Sequence, residues 1–388
     1  MSSQDDQHTL EPSGIRLRPE WAGPRVPAAP QPVMAATGAA DTGPDVLGLL
    51  LTTKCNIACR HCCNDSHPSH HGAAPFEDIA KAIRMAMAVP SIREIGLSGG
   101  EPFLFLPLLR QVIAFARECG FSASVTTNGF WGRAPRARRM LDELAAEGLH
   151  AIHVSTSAFH REFVAAETVT SAARVALDAG LHVTLNLVAS ASLSRRMLEE
   201  DLGSLAAEVD IVVMPCLPAG RGRTSVAPDE FPLAAAAPRG NCREHFRKLA
   251  VDTEGNVYPC CSPGGFTPSL RIGNLRDAPL EAIVAGASRS KLLAILDAVG
   301  PQFFLPFLRA AAGAPPLPVA FGDQCHLCHA MLSSEAHAGT VELACEQLFA
   351  ELRELAPEEM PAPGDRIARL AAELRPGMPH ATPVAAGS

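Results

Sequence analysis

The sequence has no excess of basic residues, no long apolar run, no internal repeat and no apolar stretch behind a basic start. With 33 lysines and arginines against 41 acidic residues, the formal net charge is -8. Surfaces that hold phosphate backbones normally carry the opposite sign, so no nucleic-acid partner is expected. Residues 1–7 are polar and acidic, without the basic segment that opens a signal peptide. No apolar run approaches the ~18 residues a membrane helix needs. A soluble, cytoplasmic chain with no membrane partner is therefore the expectation. What is present is a 388-residue chain, 47% hydrophobic, with twelve cysteines. That is enough for one large domain with an appendage, or for two to three ordinary domains. In a reducing compartment, so many cysteines point to metal or redox chemistry rather than to a disulfide framework.

Residues 1–45 are rich in Pro, Ala and Gly and read as a disordered leader. From Val46 onward, apolar runs at 46–52, 92–98, 121–127, 151–157, 182–188 and 209–215 alternate with amphipathic stretches. The stretches near 76–88, 105–118, 134–147, 161–179 and 194–207 read as helices. Six strands with intervening helices imply an α/β fold with a parallel sheet, open or barrel-like, its strands buried on both faces. Chemistry in such folds gathers at the carboxyl ends of the strands. After about residue 240 the rhythm breaks. Residues 246–261 read as a hairpin turning at Glu254-Gly255-Asn256, a helix is expected near 278–297, and helical stretches near 339–355 and 364–375 follow. The expected organisation is a leader (1–45), a barrel-like domain (46–235), a small cysteine-bearing domain (236–345) and a helical tail (346–388).

Cys55-x3-Cys59-x2-Cys62 lies just past the first expected strand. Three thiolates on one loop can hold three irons of a [4Fe–4S] cube and leave the fourth open. Zinc knuckles normally supply four ligands, commonly as paired CxxC units, which makes zinc the weaker reading. One strand later comes Gly99-Gly100-Glu101-Pro102. On this triad and this GGEP segment the sequence resembles the radical S-adenosylmethionine (SAM) superfamily, over about residues 46–220. The resemblance implies a partial (β/α)6 TIM-like barrel. It also implies a cluster whose open iron chelates SAM, and reductive cleavage to a 5′-deoxyadenosyl radical. It places Gly99, Gly100, Glu101 and Pro102 at the cofactor, with Glu101 accepting from the SAM ammonium. Asn128 in Thr127-Asn128-Gly129, Ser155 and Asn186 fall where the family contacts SAM, although short polar side chains at strand ends also serve local turns. His61 stands where the family usually has an aromatic.

Cys242 and Cys260 bracket the expected hairpin, and Cys325-x2-Cys328 follows. Four thiolates make a complete ligand set for a second centre, and a structural zinc would satisfy the same spacing. Beside the first triad, this pattern is similar to the twitch and SPASM extensions of radical SAM enzymes. The two further cysteines of a full SPASM domain are replaced by Ser334 and Ala338. That implies the shorter twitch form, with one auxiliary [4Fe–4S] cluster held by Cys242, Cys260, Cys325 and Cys328. Cys345, in a helical run, reads as a buried thiol.

Cys261 belongs to neither ligand set. Together with the Cys62-Cys63 doublet it resembles peptide-epimerising members, which implies hydrogen-atom return by a thiol. Cys216, at the end of the sixth strand, is a rival donor. Arg221 and Arg223 beside it could grip a carboxylate, His160 is a candidate substrate contact, and His67, His70 and His71 form a polar loop. The leading expectation is a maturase that epimerises a ribosomally made peptide. Crosslinking of a peptide, or oxidation of a small-molecule alcohol, are the alternatives, and a zinc scaffold is the non-enzymatic one. The expected partners are a peptide or small-molecule substrate, a flavodoxin or ferredoxin as electron donor, and a separate leader-recognition protein.

Overall fold

The computed structural model describes residues 43–242, 246–354 and 363–373. The expected leader, save its last three residues, and the end of the tail lie outside them. Six β/α units come first. β1 (Val46–Leu50) leads to α1 (Phe76–Ala86), β2 (Glu94–Ser98) to α2 (Leu106–Glu118), and β3 (Ser122–Thr127) to α3 (Ala137–Glu147). β4 (Leu149–Thr156) is followed by α4 (Ala158–Arg161) and α5 (Ala166–Asp178), then β5 (His182–Ala189), α6 (Arg195–Leu202) and β6 (Asp210–Pro215). A short α7 (Gly222–Ser225) follows β6. The strands are parallel in the order β6-β5-β4-β3-β2-β1, the partial-barrel α/β topology expected from the sequence.

Burial on both faces is corrected. β1 and β2 alternate half-buried and buried residues. Leu47, Leu49, Ile95, Leu97, Val125, Ile152, Val154, Leu185 and Leu187 form the buried row beneath the helices. The other face carries small or polar side chains: Gly48, Gly96, Ser98, Thr126, His153, Ser155 and Asn186 are all partly exposed. A strand alternates its side chains between faces, so one face packs while the other stays open to a ligand. Register places Ser155 directly opposite Asn186 on this open face.

The hairpin is not a separate layer. β7 (Lys248–Val251) pairs in parallel with β1, on the side away from β2, and β8 (Asn256–Tyr258) and β9 (Gly273–Asn274) continue antiparallel beyond it. The result is one nine-stranded sheet with β6 and β9 at its edges. The helix expected over 278–297 is two, α8 (Leu280–Ala287) and α9 (Lys291–Ala298), broken where Ser290 caps α9 by accepting from Leu293 N–H. α10 (Leu305–Ala310), α11 (Gln324–Leu332), α12 (Glu335–Glu354) and α13 (Pro363–Glu373) complete the described residues. α9, α10, α12 and α13 share a second core around Leu296, Phe304 and Leu348, in which Cys345 is buried. Among the described residues no single helix is long and apolar enough to cross a membrane; one apolar pair, residues 291–298 and 301–310, is bent by 111°.

Candidate active site

The first cysteine loop leaves the end of β1 and is tied down on three sides. His67 closes it, accepting from Cys55 N–H at 3.3 Å and donating to the Thr53 carbonyl at 3.1 Å. The GGEP segment holds its root: Gly100 N–H donates to Thr52 O at 2.7 Å and Glu101 N–H to Lys54 O at 2.9 Å. A Cβ on Gly100 would collide with the Lys54 carbonyl, and Gly99, at φ +134, lies equally close to Thr52. These glycines therefore let the loop's own backbone approach this closely. Pro102, buried, opens the 3-10 turn that follows.

Glu101 is anchored at the same root. It is 0% exposed, and its carboxylate accepts from Thr127 Oγ1 (2.9 Å), Asn128 N–H (2.8 Å) and Phe103 N–H (3.1 Å). In this structure it joins the loop root to the end of β3. Burial raises its pKa to about 7, against the pull of those three donors. A carboxyl raised by burial stabilises the fold fully below its unfolded value, and that stability is lost as pH rises through the folded value. Unfolding free energy of the wild type should thus fall by roughly 2–4 kcal/mol more between about pH 4.5 and pH 8 than that of Glu101→Gln. Denaturant titrations of both proteins across that window check this; parallel curves would mean that Glu101 is ionised throughout.

Asn128 is buried and bridges back to the loop. Its Nδ2 donates to Asn56 Oδ1 at 2.8 Å and lies 3.8 Å from Cys55 Sγ. The thiols themselves are gathered: the Cys59 thiol donates to Cys62, which also receives the Ser66 N–H at 3.3 Å. That hydrogen bond from Cys59, working against burial, lowers the Cys62 thiol, with the Ser66 N–H and the Arg221 charge assisting. Cys59 is correspondingly raised. His61 packs against Phe159 (5.1 Å between ring centroids) and edge-on to His160 (4.8 Å). Burial lowers both histidines, His160 to about 4, so both are neutral. His160 is held by Ser157, whose Oγ lies 2.9 Å from its Nδ1 and caps α4.

The four cysteines of the second set also come together. Cys325 and Cys328 sit on α11, whose first turn is capped by Asp323 accepting from His326 N–H at 2.8 Å. Cys328 lies within electrostatic reach of Cys260 and Cys242, and Cys325 within reach of Cys260 and Cys328. The Gly264-Gly265 turn wraps them. A Cβ on Gly265 would lie 2.6 Å from Cys260 Sγ, and one on Gly264 would strike the Cys325 carbonyl. Among the described residues no three His, Cys, Asp or Glu side chains meet at single-ion spacing. What fits an iron–sulfur cluster is the donor chemistry: free thiols gathered as a triad and as a tetrad.

Cys261 is solvent-accessible, and Cys63, in the first loop, is accessible too although surrounded by protein; the two thiols lie within electrostatic reach of each other. Cys216 is 0% exposed and packs within the barrel core. Arg221 is neither solvated nor open to a carboxylate: it is spent on the first cysteine loop. Sequence reading also passed over His153, which stands deep on the open face of β4. Burial, followed by the charges of Lys248, His182 and His150, lowers it to about 4. The polar pair His153 and Ser155, two positions apart in an otherwise apolar run, was the available signal.

A thiol triad at the carboxyl end of the first strand of a six-stranded β/α sheet, with a thiol tetrad on an extension of that sheet, defines an iron–sulfur enzyme. The sequence profile of the radical SAM superfamily matches residues 49–203, and that of an iron–sulfur cluster-binding domain, SPASM, matches residues 242–302. A protein of Saccharolobus islandicus (strain L.S.2.15 / Lassen #1) named "Probable GTP 3',8-cyclase" is 30% identical over 238 residues, covering 56% of this chain and 74% of that protein. The chain belongs to the radical SAM superfamily. It is also similar to YydG of Bacillus subtilis (strain 168), whose name attaches it to peptide biosynthesis, at 22% identity over 73% of this chain and 91% of that protein. The GTP 3',8-cyclase of Synechococcus sp. (strain CC9902) is 37% identical, but the chain spans only 31% of its length. Among solved structures, native anSMEcpe with bound AdoMet and Cp18Cys peptide aligns with a TM-score of 0.46 at 13% identity, over 80% of this chain and 98% of that one. A likeness at that level carries no functional weight.

Membership brings a [4Fe–4S] cluster and SAM, and the SPASM match brings auxiliary iron–sulfur binding. It sets aside the zinc scaffold. The thiol chemistry of the residues present fits both groups: Cys55, Cys59 and Cys62 would hold the first, and Cys242, Cys260, Cys325 and Cys328 would hold the second.

Proposed function

We propose that this enzyme modifies a peptide by epimerising an L-residue to D, with Cys261 as the hydrogen donor. When bound, the first cluster and SAM supply a carbon radical able to take a hydrogen atom from substrate. The chain's own residues do the rest. The open face of the sheet, with Ser155, Asn186 and Asn128 at its carboxyl end, is the surface that would hold SAM and substrate. The observation that carries the reading is the accessibility of Cys261, which no ligand set requires, close to Cys63 on the first cysteine loop. A thiol there returns a hydrogen atom to a substrate Cα radical: its S–H bond breaks, a Cα–H bond forms, and a thiyl remains. An electron from a one-electron reductant of the flavodoxin or ferredoxin class and a proton from solvent would restore the thiol. The relationship to YydG over nearly its full length supports a peptide substrate. Peptide recognition would involve a separate leader-binding partner.

The test is turnover in D2O with a short peptide encoded beside the gene. The expected product carries one deuterium on Cα of a residue that chiral analysis finds as D. A product lighter by two hydrogens, with no D-residue, would replace epimerisation by crosslinking or by oxidation.

A further inference from the structure

The Gly220-Arg221-Gly222 segment, just beyond β6, lies against the first cysteine loop along its whole width. Gly220 has φ +53, and a Cβ there would stand 2.5 Å from the carbonyl oxygens of both Cys62 and Cys63. Gly222 is buried, with His61 Cα 3.5 Å from where its Cβ would be. Between them, Arg221 N–H donates to Cys62 O at 3.0 Å. Its guanidinium donates from Nε to Cys59 O at 3.1 Å and from Nη2 to Ser66 O at 2.7 Å. Nη1 reaches Asp65 Oδ1 at 3.0 Å, and Asp65 itself sits at φ 51, a turn conformation that needs holding. The Arg221 side chain is only 17% exposed.

We infer that Arg221 is a positioning residue for the SAM-binding cluster, a fork that fixes the arc from Cys59 to Ser66 so that Cys59 and Cys62 present their thiolates together. The reasons are geometric. Two backbone carbonyls and one carboxylate, all on the same loop, are taken by three separate nitrogens of one planar group. A lysine offers a single point of donation on a flexible stem and cannot span them. The flanking glycines serve the same contact, because any side chain at Gly220 would push the loop off. The same segment touches the region of the auxiliary ligands on its other side. Gly322, just before α11, packs on Leu217, and Arg223 lies within electrostatic reach of His329, the residue after Cys328. The strut from Leu217 to Arg223 therefore seats the first cysteine loop against the helix that carries two of the auxiliary ligands.

This inference rests on the assignment of Cys55, Cys59 and Cys62 to the first cluster, and the experiment separates the two. Full-length wild type, Arg221→Lys, Arg221→Gln and a Cys55/Cys59/Cys62→Ala triple variant are loaded anaerobically with limiting iron and sulfide. Iron per chain is measured, together with the electron paramagnetic resonance of the reduced proteins with and without SAM. The triple variant reports the assignment: full iron in it would remove the cluster from these cysteines. Given that control, both Arg221 variants should retain about half the wild-type iron, the auxiliary share, and lose the SAM-dependent change in the spectrum several-fold. Wild-type iron and a wild-type SAM response in Arg221→Lys would overturn the fork. Should a variant lose all its iron, hydrogen exchange of the metal-free proteins decides. Faster exchange over residues 59–66, with β1 to β6 unchanged, supports the clamp, and unchanged exchange there refutes it.

Discussion

Replacing any one of Cys55, Cys59 or Cys62 by alanine should lower 5′-deoxyadenosine formation from SAM at least ~10³-fold. The size of the effect follows from what the loop can hold. Three thiolates leave one iron of the cube open for SAM; two leave the cluster short of an anchor and prone to lose an iron. Neighbouring groups do not replace the missing ligand. His61 is turned into the packing of Phe159 and His160, and Asn128 offers its amide nitrogen to Asn56. Cys63 is the nearest spare thiol in sequence, but Arg221 N–H holds the Cys62 carbonyl and Gly220 packs against the carbonyl oxygens of both Cys62 and Cys63. The measurement is product formation with a chemical reductant, in protein whose auxiliary iron is still present. Retention of more than a tenth of the rate in a single variant would take the cluster away from this loop.

Cys261→Ala should lower D-residue formation at least ~10²-fold while SAM cleavage changes less than about threefold. The two readouts part because donation comes after hydrogen abstraction: the substrate radical still forms but meets no thiol. Cys216→Ala supplies the comparison. Its thiol is enclosed in the barrel core, with burial raising it to about 12, so truncation should cost about 1–2 kcal/mol of stability and leave the D:L ratio unchanged. Chiral amino-acid analysis of the product and quantitation of 5′-deoxyadenosine in the same samples test both variants. Unchanged epimer formation in Cys261→Ala would transfer the donor role elsewhere.

Much of the molecule was legible in the sequence because its signals are local. The apolar runs at 46–52, 182–188 and 209–215 coincide with β1, β5 and β6 to within two residues. The thiol triad follows β1 because a parallel β/α unit turns at that end, and Cys325 and Cys328 come together because they share one helix. What escaped was long-range. The hairpin at 246–261 reads from its own turn, but nothing local says that β7 will lie beside β1, some 200 residues earlier. Arg221 read as a loop cation because its three acceptors lie 155 to 162 positions away. The glycines of GGEP read as ligand-side positions, and nothing local says that the Thr52 and Lys54 carbonyls also crowd them. Helix breaks at residues 162–165 and 288–290 were missed because apolar spacing continues across them.

The pairing of β7 with β1 has a consequence for how this protein can be taken apart. β1 is an interior strand here, bonded to β2 on one side and β7 on the other. A gene truncated after residue 235 would turn β1 into a bare, apolar margin offering unmet peptide groups to any passing strand. Such a fragment should precipitate or pair with itself, and an isolated C-terminal half would lack the strand on which β7 is laid. The auxiliary module is thus grafted by lateral strand addition rather than tethered by a linker.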